Sequence, residues 1–153
     1  MTRSRPLLYA FHILISIALL AILPINAHGK TISFFSNLSM RDGLPSNIIA
    51  SIAQDQHDFI WVATGSGLAR YDGYKFRVFK KTELSNSLPS NELSTLLADG
   101  EHIWVGTWSG LCKINIKTFE ITRINLGEPA AIRALFKGKD NALWVGTGNG
   151  LIR

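Results

Sequence analysis

Phe59-Ile-Trp-Val-Ala-Thr-Gly-Ser-Gly-Leu68 is the stretch that decides the fold, because its ten-residue pattern occurs three times in the chain. The other copies are His102-Ile-Trp-Val-Gly-Thr-Trp-Ser-Gly-Leu111 and Ala142-Leu-Trp-Val-Gly-Thr-Gly-Asn-Gly-Leu151. An upstream Leu-Pro-Ser-Asn phrase also recurs, at 44–47 and 88–91. The regular spacing of these phrases indicates one repeated structural unit of about 40–45 residues.

Four strands are predicted in each unit. In the first unit, apolar runs at 48–54 and 59–64 flank a turn, and a glycine-serine-glycine turn leads into a strand at 68–71. Asp72-Gly73 is a strong hairpin signal, and 75–80 has the polar character of an outer strand. Four strands in about 40–45 residues are typical of a propeller blade. We therefore predict an all-β fold of four-stranded antiparallel β-propeller blades, about 2.5 of them, forming an incomplete ring.

The tryptophan strand is predicted to be covered on both sides. Residues 60–62 are apolar on both faces, whereas a strand with one wet face would alternate polar and apolar side chains. Ala63, Gly106 and Gly146 occupy one equivalent position, where only small side chains occur. Close approach of the next blade explains that restriction.

An export signal is predicted at 1–27. Arg3 and Arg5 precede a mostly apolar stretch at 7–23, Pro24 ends it, and Ala27 suits a cleavage point. The stretch is also near the minimum length of a spanning helix, so an uncleaved N-terminal membrane anchor is the alternative. The predicted segments are 1–27 signal peptide or membrane helix, 28–43 lead-in with a ring-closing strand at 31–36, 44–87 and 88–130 two blades, and 131–153 a partial third blade.

Composition excludes several classes of protein. The 153-residue chain has 46% hydrophobic residues, 16 basic and 11 acidic residues, and a formal net charge of +5 without a basic cluster. Nucleic-acid binding needs a concentrated basic patch, so we predict no nucleic-acid partner. The lone Cys112 cannot form an internal disulfide, and its apolar strand pattern predicts a small buried side chain.

No catalytic or metal site is predicted. The histidines after the leader are His28, His57 and His102, and no pair of them has metal-ligand spacing. Acidic residues such as Asp55 and Asp99 lie at turns, where turn chemistry accounts for them. We therefore predict that this chain is not an enzyme and needs no cofactor.

The repeated phrases resemble the two-component regulator propeller repeat, over nearly everything from about residue 32 to the end. The residues that carry the resemblance are 42–47, 51–55, 60–64, 67–68 and 70–73. It implies an N-terminal fragment of an exported or membrane-anchored sensor. In such proteins a periplasmic propeller precedes a membrane helix and a cytoplasmic histidine kinase or diguanylate cyclase, and many members sense carbohydrates. An output domain of this kind would lie outside this chain.

Three residues are candidates for ligand binding. Trp108 stands where the other repeats have glycine, at a turn on the face that carries the loops between blades. An aromatic ring there can stack on a sugar, or it can pack against the neighbouring blade. Asn47 and Asn91 precede the innermost strands, where they can either point into the channel mouth or cap a local turn.

These features predict the ligand-sensing propeller of a transmembrane signal-transduction protein. The expected partners are a carbohydrate or another small ligand, the membrane through the leader or a downstream helix, and a second copy in a homodimer of the full-length protein. The expected location is the periplasm or the exterior, with inner-membrane anchoring as an option. The alternatives are a protein-binding scaffold and a secreted propeller enzyme such as a lyase.

Overall fold

The computed structural model describes residues 35–153, where eleven strands follow one 3-10 helix at Met40–Asp42. Residues 37–153 form one unit. The predicted leader and residues 31–34 of the predicted ring-closing strand lie outside the described residues, and Phe35 and Ser36 belong to no strand. In the described part of the chain, no helix is long and apolar enough to cross a membrane.

The strands form three antiparallel sheets, each made of consecutive strands. The first sheet contains β1 (Ile49–Gln54), β2 (Ile60–Thr64), β3 (Gly67–Tyr71) and β4 (Phe76–Phe79). The second contains β5 (Leu93–Asp99), β6 (His102–Thr107), β7 (Gly110–Asn115) and β8 (Ile121–Ile124). The third contains β9 (Ile132–Lys137), β10 (Leu143–Thr147) and β11 (Gly150–Ile152). The predicted all-β class and the four-stranded antiparallel units are thus confirmed, while the segment bounds stay a prediction.

The tight turn between the second and third strands of each sheet is held by a threonine at the equivalent position. The Thr64 hydroxyl donates to the carbonyl of Gly67 at 2.8 Å and accepts from the Ser66 amide at 3.1 Å. Gly67 has a φ of +136°, which a residue with a side chain rarely adopts. The same pair of hydrogen bonds recurs at Thr107 and Thr147. The repeated phrase is therefore a strand followed by a fixed turn.

The hairpin between the third and fourth strands depends on an asparagine or aspartate side chain. Asp72 accepts from the amides of Tyr74 and Lys75, both at 2.9 Å, and these backbone hydrogen bonds lower its pKa. In the second sheet Asn115 accepts in the same way from the amides of Lys117 and Thr118, at 2.9 and 3.0 Å. The replacement of Asp-Gly by Asn-Ile in the second repeat therefore preserves the turn.

The sheets pack face to face with their first strands adjacent. β1 contacts β5, and β5 contacts β9. Ser51 of β1 accepts a hydrogen bond from the Leu96 amide at 3.1 Å, and Ser94 of β5 donates to the carbonyl of Ile132 at 2.6 Å. The largest buried cluster lies between the first two sheets and includes Trp61, Leu68, Leu88, Ile103, Val105, Cys112 and Ile114. This is the propeller-like stacking that the repeat predicts.

The position restricted to small residues is one where neighbouring sheets approach closely. A Cβ atom on Gly106 would lie 2.6 Å from Thr95 Cγ2 and 2.7 Å from Ile132 Cγ2 of the third sheet. Real Cβ atoms essentially never approach other atoms so closely. Ala63, the equivalent residue of the first sheet, is fully buried. The predicted close approach of the next sheet is confirmed at Gly106.

Candidate functional site

One end of every sheet is marked by the same backbone hydrogen bond. The residue after the second strand donates its amide to a carbonyl just before the first strand. The pairs are Gly65 to Ile48 at 3.1 Å, Trp108 to Glu92 at 3.1 Å, and Gly148 to Ala131 at 2.9 Å. Because this bond recurs, the turns and the starts of the first strands share one end of the sheets, which we call the turn face.

A cleft of about 530 Å³ opens on the turn face between the first two sheets. The first sheet contributes Ile48, Ala50 and Gly65, and the second contributes Glu92, Leu93, Ser94 and Trp108. The lining combines apolar side chains with a carboxylate and a hydroxyl. A surface with an aromatic ring and a few polar groups is suited to bind a small amphipathic molecule.

Trp108 is half-exposed at this cleft, with 48% of its surface accessible. Arg133 reaches it from β9, and its guanidinium carbon lies 4.2 Å from the centroid of the Trp108 rings. This cation–π contact fixes the position of the tryptophan against the third sheet. Trp108 therefore packs against the neighbouring sheet, and stacking of a sugar on its exposed ring surface stays a prediction.

Polar groups lie close to the tryptophan. Arg133 and Glu92 are exposed, and neither forms an ion pair within residues 35–153. Ser94 uses its hydroxyl proton on the carbonyl of Ile132, so its oxygen lone pairs remain as acceptors. The cleft therefore offers a carboxylate acceptor and a hydroxyl acceptor beside one aromatic ring, and the Arg133 guanidinium adjoins that ring from the third sheet without lining the cleft.

The two candidate asparagines do not line this cleft. Asn47 accepts from the Met40 amide at 2.9 Å, and Asn91 accepts from the Lys81 amide at 2.7 Å. Each side-chain oxygen thus holds the loop that precedes its sheet, in a cap that spans seven or ten residues. A direct role of these asparagines in ligand binding stays a prediction.

The opposite end of the sheets carries a carboxylate bound to each of the first two tryptophans. Asp55 is buried and accepts from Trp61 Nε1 at 2.7 Å, and Asp99 accepts from Trp104 Nε1 at 3.2 Å. The expectation that turn chemistry accounts for these acids is incomplete. One carboxylate oxygen of Asp55 accepts hydrogen bonds from the turn amides of His57 and Phe59, but the other oxygen accepts from the indole of the buried Trp61.

Asp99 also joins the second and third sheets. It forms an ion pair with Lys137 of β9, and the hydrogen bond from Lys137 lowers the pKa of Asp99. The third repeat has no equivalent carboxylate, because Gly138 occupies that position before Trp144. Asp55 and Asp99 therefore each accept a hydrogen bond from the indole of the tryptophan in the following strand.

Other reactive groups form no site in the part of the chain that the structure describes. Cys112 is buried, and burial raises the pKa of its thiol to about 12, so the thiolate nucleophile is not available near neutral pH. Over residues 35–153 no group of three histidine, cysteine, aspartate or glutamate side chains is placed to hold a metal ion.

Sequence reasoning missed the polar neighbours of Trp108. Arg133 belongs to the next repeat, and its contact with Trp108 depends on how two sheets stack. Glu92 and Ser94 closely follow Asn91, and alternation along β5 was a signal available for Ser94 alone, since Glu92 precedes the strand. That signal distinguishes faces of a strand but does not say which face meets the cleft.

Residues 43–66 match the family model described as the two component regulator propeller. The match runs from the Leu-Pro-Ser-Asn phrase through β1 and β2 into the first tight turn. A comparison with curated proteins gave no match.

Solved structures of B. thetaiotaomicron proteins are similar to this chain. The extracellular domain described as belonging to the putative hybrid two component system BT3049 is 29% identical, with a TM-score of 0.64, over 72% of this chain. The extracellular domain of BT4673 is 30% identical over 74% of the chain with a TM-score of 0.64. Another structure of BT4673, described as a one component system, is 29% identical over 80% with a TM-score of 0.67.

The chain spans 16–17% of the length of these structures. At this level of identity the likeness indicates homology to extracellular propeller domains of two-component sensors, which agrees with the repeat. It concerns the sheets described above and not the rest of those larger proteins.

Proposed function

We propose that this chain is part of a ligand-sensing propeller in a transmembrane signal-transduction protein and acts outside the cytoplasm. The observation that carries the proposal is the similarity to extracellular domains of hybrid two component systems, together with the propeller match at 43–66. The apolar, positively flanked residues 1–27 support an exported location. Membrane attachment and homodimerisation are parts of the same proposal.

We further propose that the ligand is a carbohydrate or another small molecule that stacks on Trp108. The half-exposed indole provides the platform, Glu92 and Ser94 provide acceptors for hydroxyl groups, and Arg133 holds the indole from the third sheet. Direct contact of Asn47 and Asn91 with the ligand stays part of the proposal, beside the loop hydrogen bonds that their side-chain oxygens accept. No catalytic step is assigned, because the cleft presents a single carboxylate and no positioned base beside a nucleophile.

The test is a binding measurement on the full chain. Maltose, cellobiose and digalacturonate are titrated while tryptophan fluorescence and the unfolding temperature are recorded. A ligand that binds only the folded state stabilises it by about 2.7 kcal/mol at 100 times its dissociation constant. We expect at least one of these sugars to raise the unfolding temperature and to change the fluorescence of Trp108 in a saturable way.

Trp108→Ala is the decisive variant, and Tyr74→Ala is its matched control. Tyr74 is an aromatic residue with 95% of its surface exposed, and it lies in the hairpin between β3 and β4, away from the cleft. We expect Trp108→Ala to abolish the sugar-dependent rise in unfolding temperature and Tyr74→Ala to retain it. Equal responses from both variants would exclude Trp108 as the ligand platform.

A further inference from the structure

Two arginines of the first sheet lie directly opposite each other with the same charge. Arg70 of β3 pairs with Arg77 of β4 in the antiparallel register. Directly opposed residues have Cβ atoms about 4.5–5.5 Å apart, and like charges there are destabilising. Arg70 is half-buried, which reduces the solvent screening of its charge. This pairing needs a compensating interaction.

Aromatic rings supply part of that compensation. The guanidinium carbon of Arg70 lies 3.4 Å from the Phe59 centroid, and that of Arg77 lies 3.9 Å from the Phe119 centroid. Arg70 is also 5.2 Å from Phe119, so both charges adjoin one ring of the second sheet. Stacking occupies guanidinium faces and leaves the N–H edges, which are the directions that bind planar or tetrahedral anions.

Phe119, which makes these contacts, lies in the turn between β7 and β8 with an uncommon backbone conformation. Its φ is +62°, in the left-handed region that a bulky aromatic residue rarely adopts. The amide of Phe119 donates to the carbonyl of Asn115 at 2.9 Å, which stabilises the turn. A backbone outlier of this kind is a starting point for a functional hypothesis. Here it places a ring from the second sheet against two cations of the first.

The guanidinium edges have no acceptor in residues 35–153. Neither arginine appears in an ion pair or donates a hydrogen bond, and the buried Nε of Arg70 is without a partner. Glu120 follows Phe119 directly but pairs with neither arginine. Residues 1–34 contain no aspartate or glutamate, so the sequence offers no carboxylate there either.

We propose that Arg70 and Arg77 bind a small oxyanion, such as a sulfate, phosphate or carboxylate group. The anion neutralises the opposed charges and accepts hydrogen bonds from the guanidinium edges, while the phenylalanines hold the planes in place. This site is separate from the cleft on the turn face, because it involves the outer strands of the first sheet and none of the cleft residues.

The test uses the full 153-residue chain in neutral detergent, because the segment at 1–27 is so apolar. Sodium sulfate, and separately sodium acetate, is added at constant ionic strength against sodium chloride. The ¹⁵N–¹H resonances of the arginine Nε–H groups are followed. We expect the Arg70 and Arg77 resonances to shift and saturate with sulfate, while chloride alone gives no saturable shift.

Arg77→Gln is expected to weaken sulfate binding about tenfold or more, since a hydrogen bond to a charged group is lost. Arg77→Lys keeps the charge but loses the planar fork, and we expect it to weaken binding as well. Arg41→Gln, in the exposed 3-10 helix, is the control and leaves binding unchanged.

Two results would overturn the proposal. The first is a sulfate response at Arg70 that is linear, or that is the same in wild type, Arg77→Gln and Arg41→Gln. The second is a large shift of the Arg70 resonance on Glu120→Gln without added sulfate, because Glu120 would then be the internal counter-ion. A folded spectrum of each variant shows that loss of binding is not loss of structure.

Discussion

The interface between the first and second sheets buries its tryptophan fully, and we call it the closed interface. The interface between the second and third sheets leaves its tryptophan partly exposed, and we call it the open interface. Trp61 is fully buried and stacks on Phe79 with ring centroids 5.7 Å apart, and Phe79 lies 5.7 Å from Phe119 of the second sheet. Trp104 occupies the same register position but remains half-buried, with Lys113 Nζ 5.9 Å from its rings. The same strand phrase therefore produces two different environments.

The difference lies outside the repeated phrase. Trp61 pairs with Ala53 and Arg70, and Trp104 pairs with Leu97 and Lys113, so both tryptophans stand at the same point of their ladders. Trp61 is covered by Phe79 of its own outer strand and by Phe119, which lies in the turn between the third and fourth strands of the following sheet. The third sheet is described only as far as its third strand, Gly150–Ile152, so the described residues contain no equivalent of that turn beside Trp104. The repeat thus fixes where each tryptophan lies, and the neighbouring sheet fixes how deeply it is buried.

The largest effect should come from removing the tryptophan at the closed interface. We expect Trp61→Ala to lower the free energy of unfolding by about 3–5 kcal/mol, because a fully buried ring leaves a cavity and Asp55 loses its donor. Trp104→Ala should cost clearly less, since its ring is already partly exposed. Urea unfolding of both variants measures the difference. Equal losses would mean that burial does not separate the two interfaces.

An intermediate effect is expected at Gly106, where the second and third sheets approach closely. Gly106→Ala places a Cβ within 2.7 Å of Ile132, and overpacking of this kind costs about 1–3 kcal/mol. Gly148→Ala is the matched control, because nothing lies within 4 Å of its Cβ position, and it should change stability by less than about 0.5 kcal/mol. Thermal unfolding compares them, and a neutral Gly106→Ala would show that the third sheet can move away.

The sequence predicts the sheets better than the contacts between them. The strand predicted at 75–80 is observed as Phe76–Phe79, because strand periodicity and the Asp72 turn are local features. Trp108 was identified as an exception to the glycine pattern, and the structure places it at a cleft. Its contact with Arg133 depends on the stacking of two sheets, which periodicity does not specify.

The burial of Asp55 escaped the sequence analysis for a related reason. An aspartate at a turn already has a local explanation, so the pattern gave no cause to look for a second partner. The hydrogen bond to Trp61 becomes evident only when the strand returns six residues later with its indole nitrogen facing the turn. The same applies to Asp99, which acquires Lys137 from another repeat.

The smallest expected effect concerns the pH dependence of the stability of the open interface. Lys137 lowers the pKa of Asp99 below its ordinary value of 3.8, so the native state binds the proton less readily than the unfolded chain. The resulting stability is fully present above about pH 4 and is lost as the pH falls through the lowered pKa. Because both side chains are partly exposed, the contribution should be below about 1 kcal/mol.

Asp99→Asn should therefore reduce the loss of stability between about pH 4 and pH 2 while leaving Trp104 with an acceptor. Lys137→Met should flatten the same part of the pH profile, because it removes the largest cause of the lowered pKa of Asp99. Glu101→Gln is the control for a surface pair, since the Glu101–Lys117 ion pair lies within one sheet. Urea unfolding across this pH range provides the measurement. If Asp99→Asn kept the full acid sensitivity of the wild type, the ion pair between the second and third sheets would not be what stabilises the open interface.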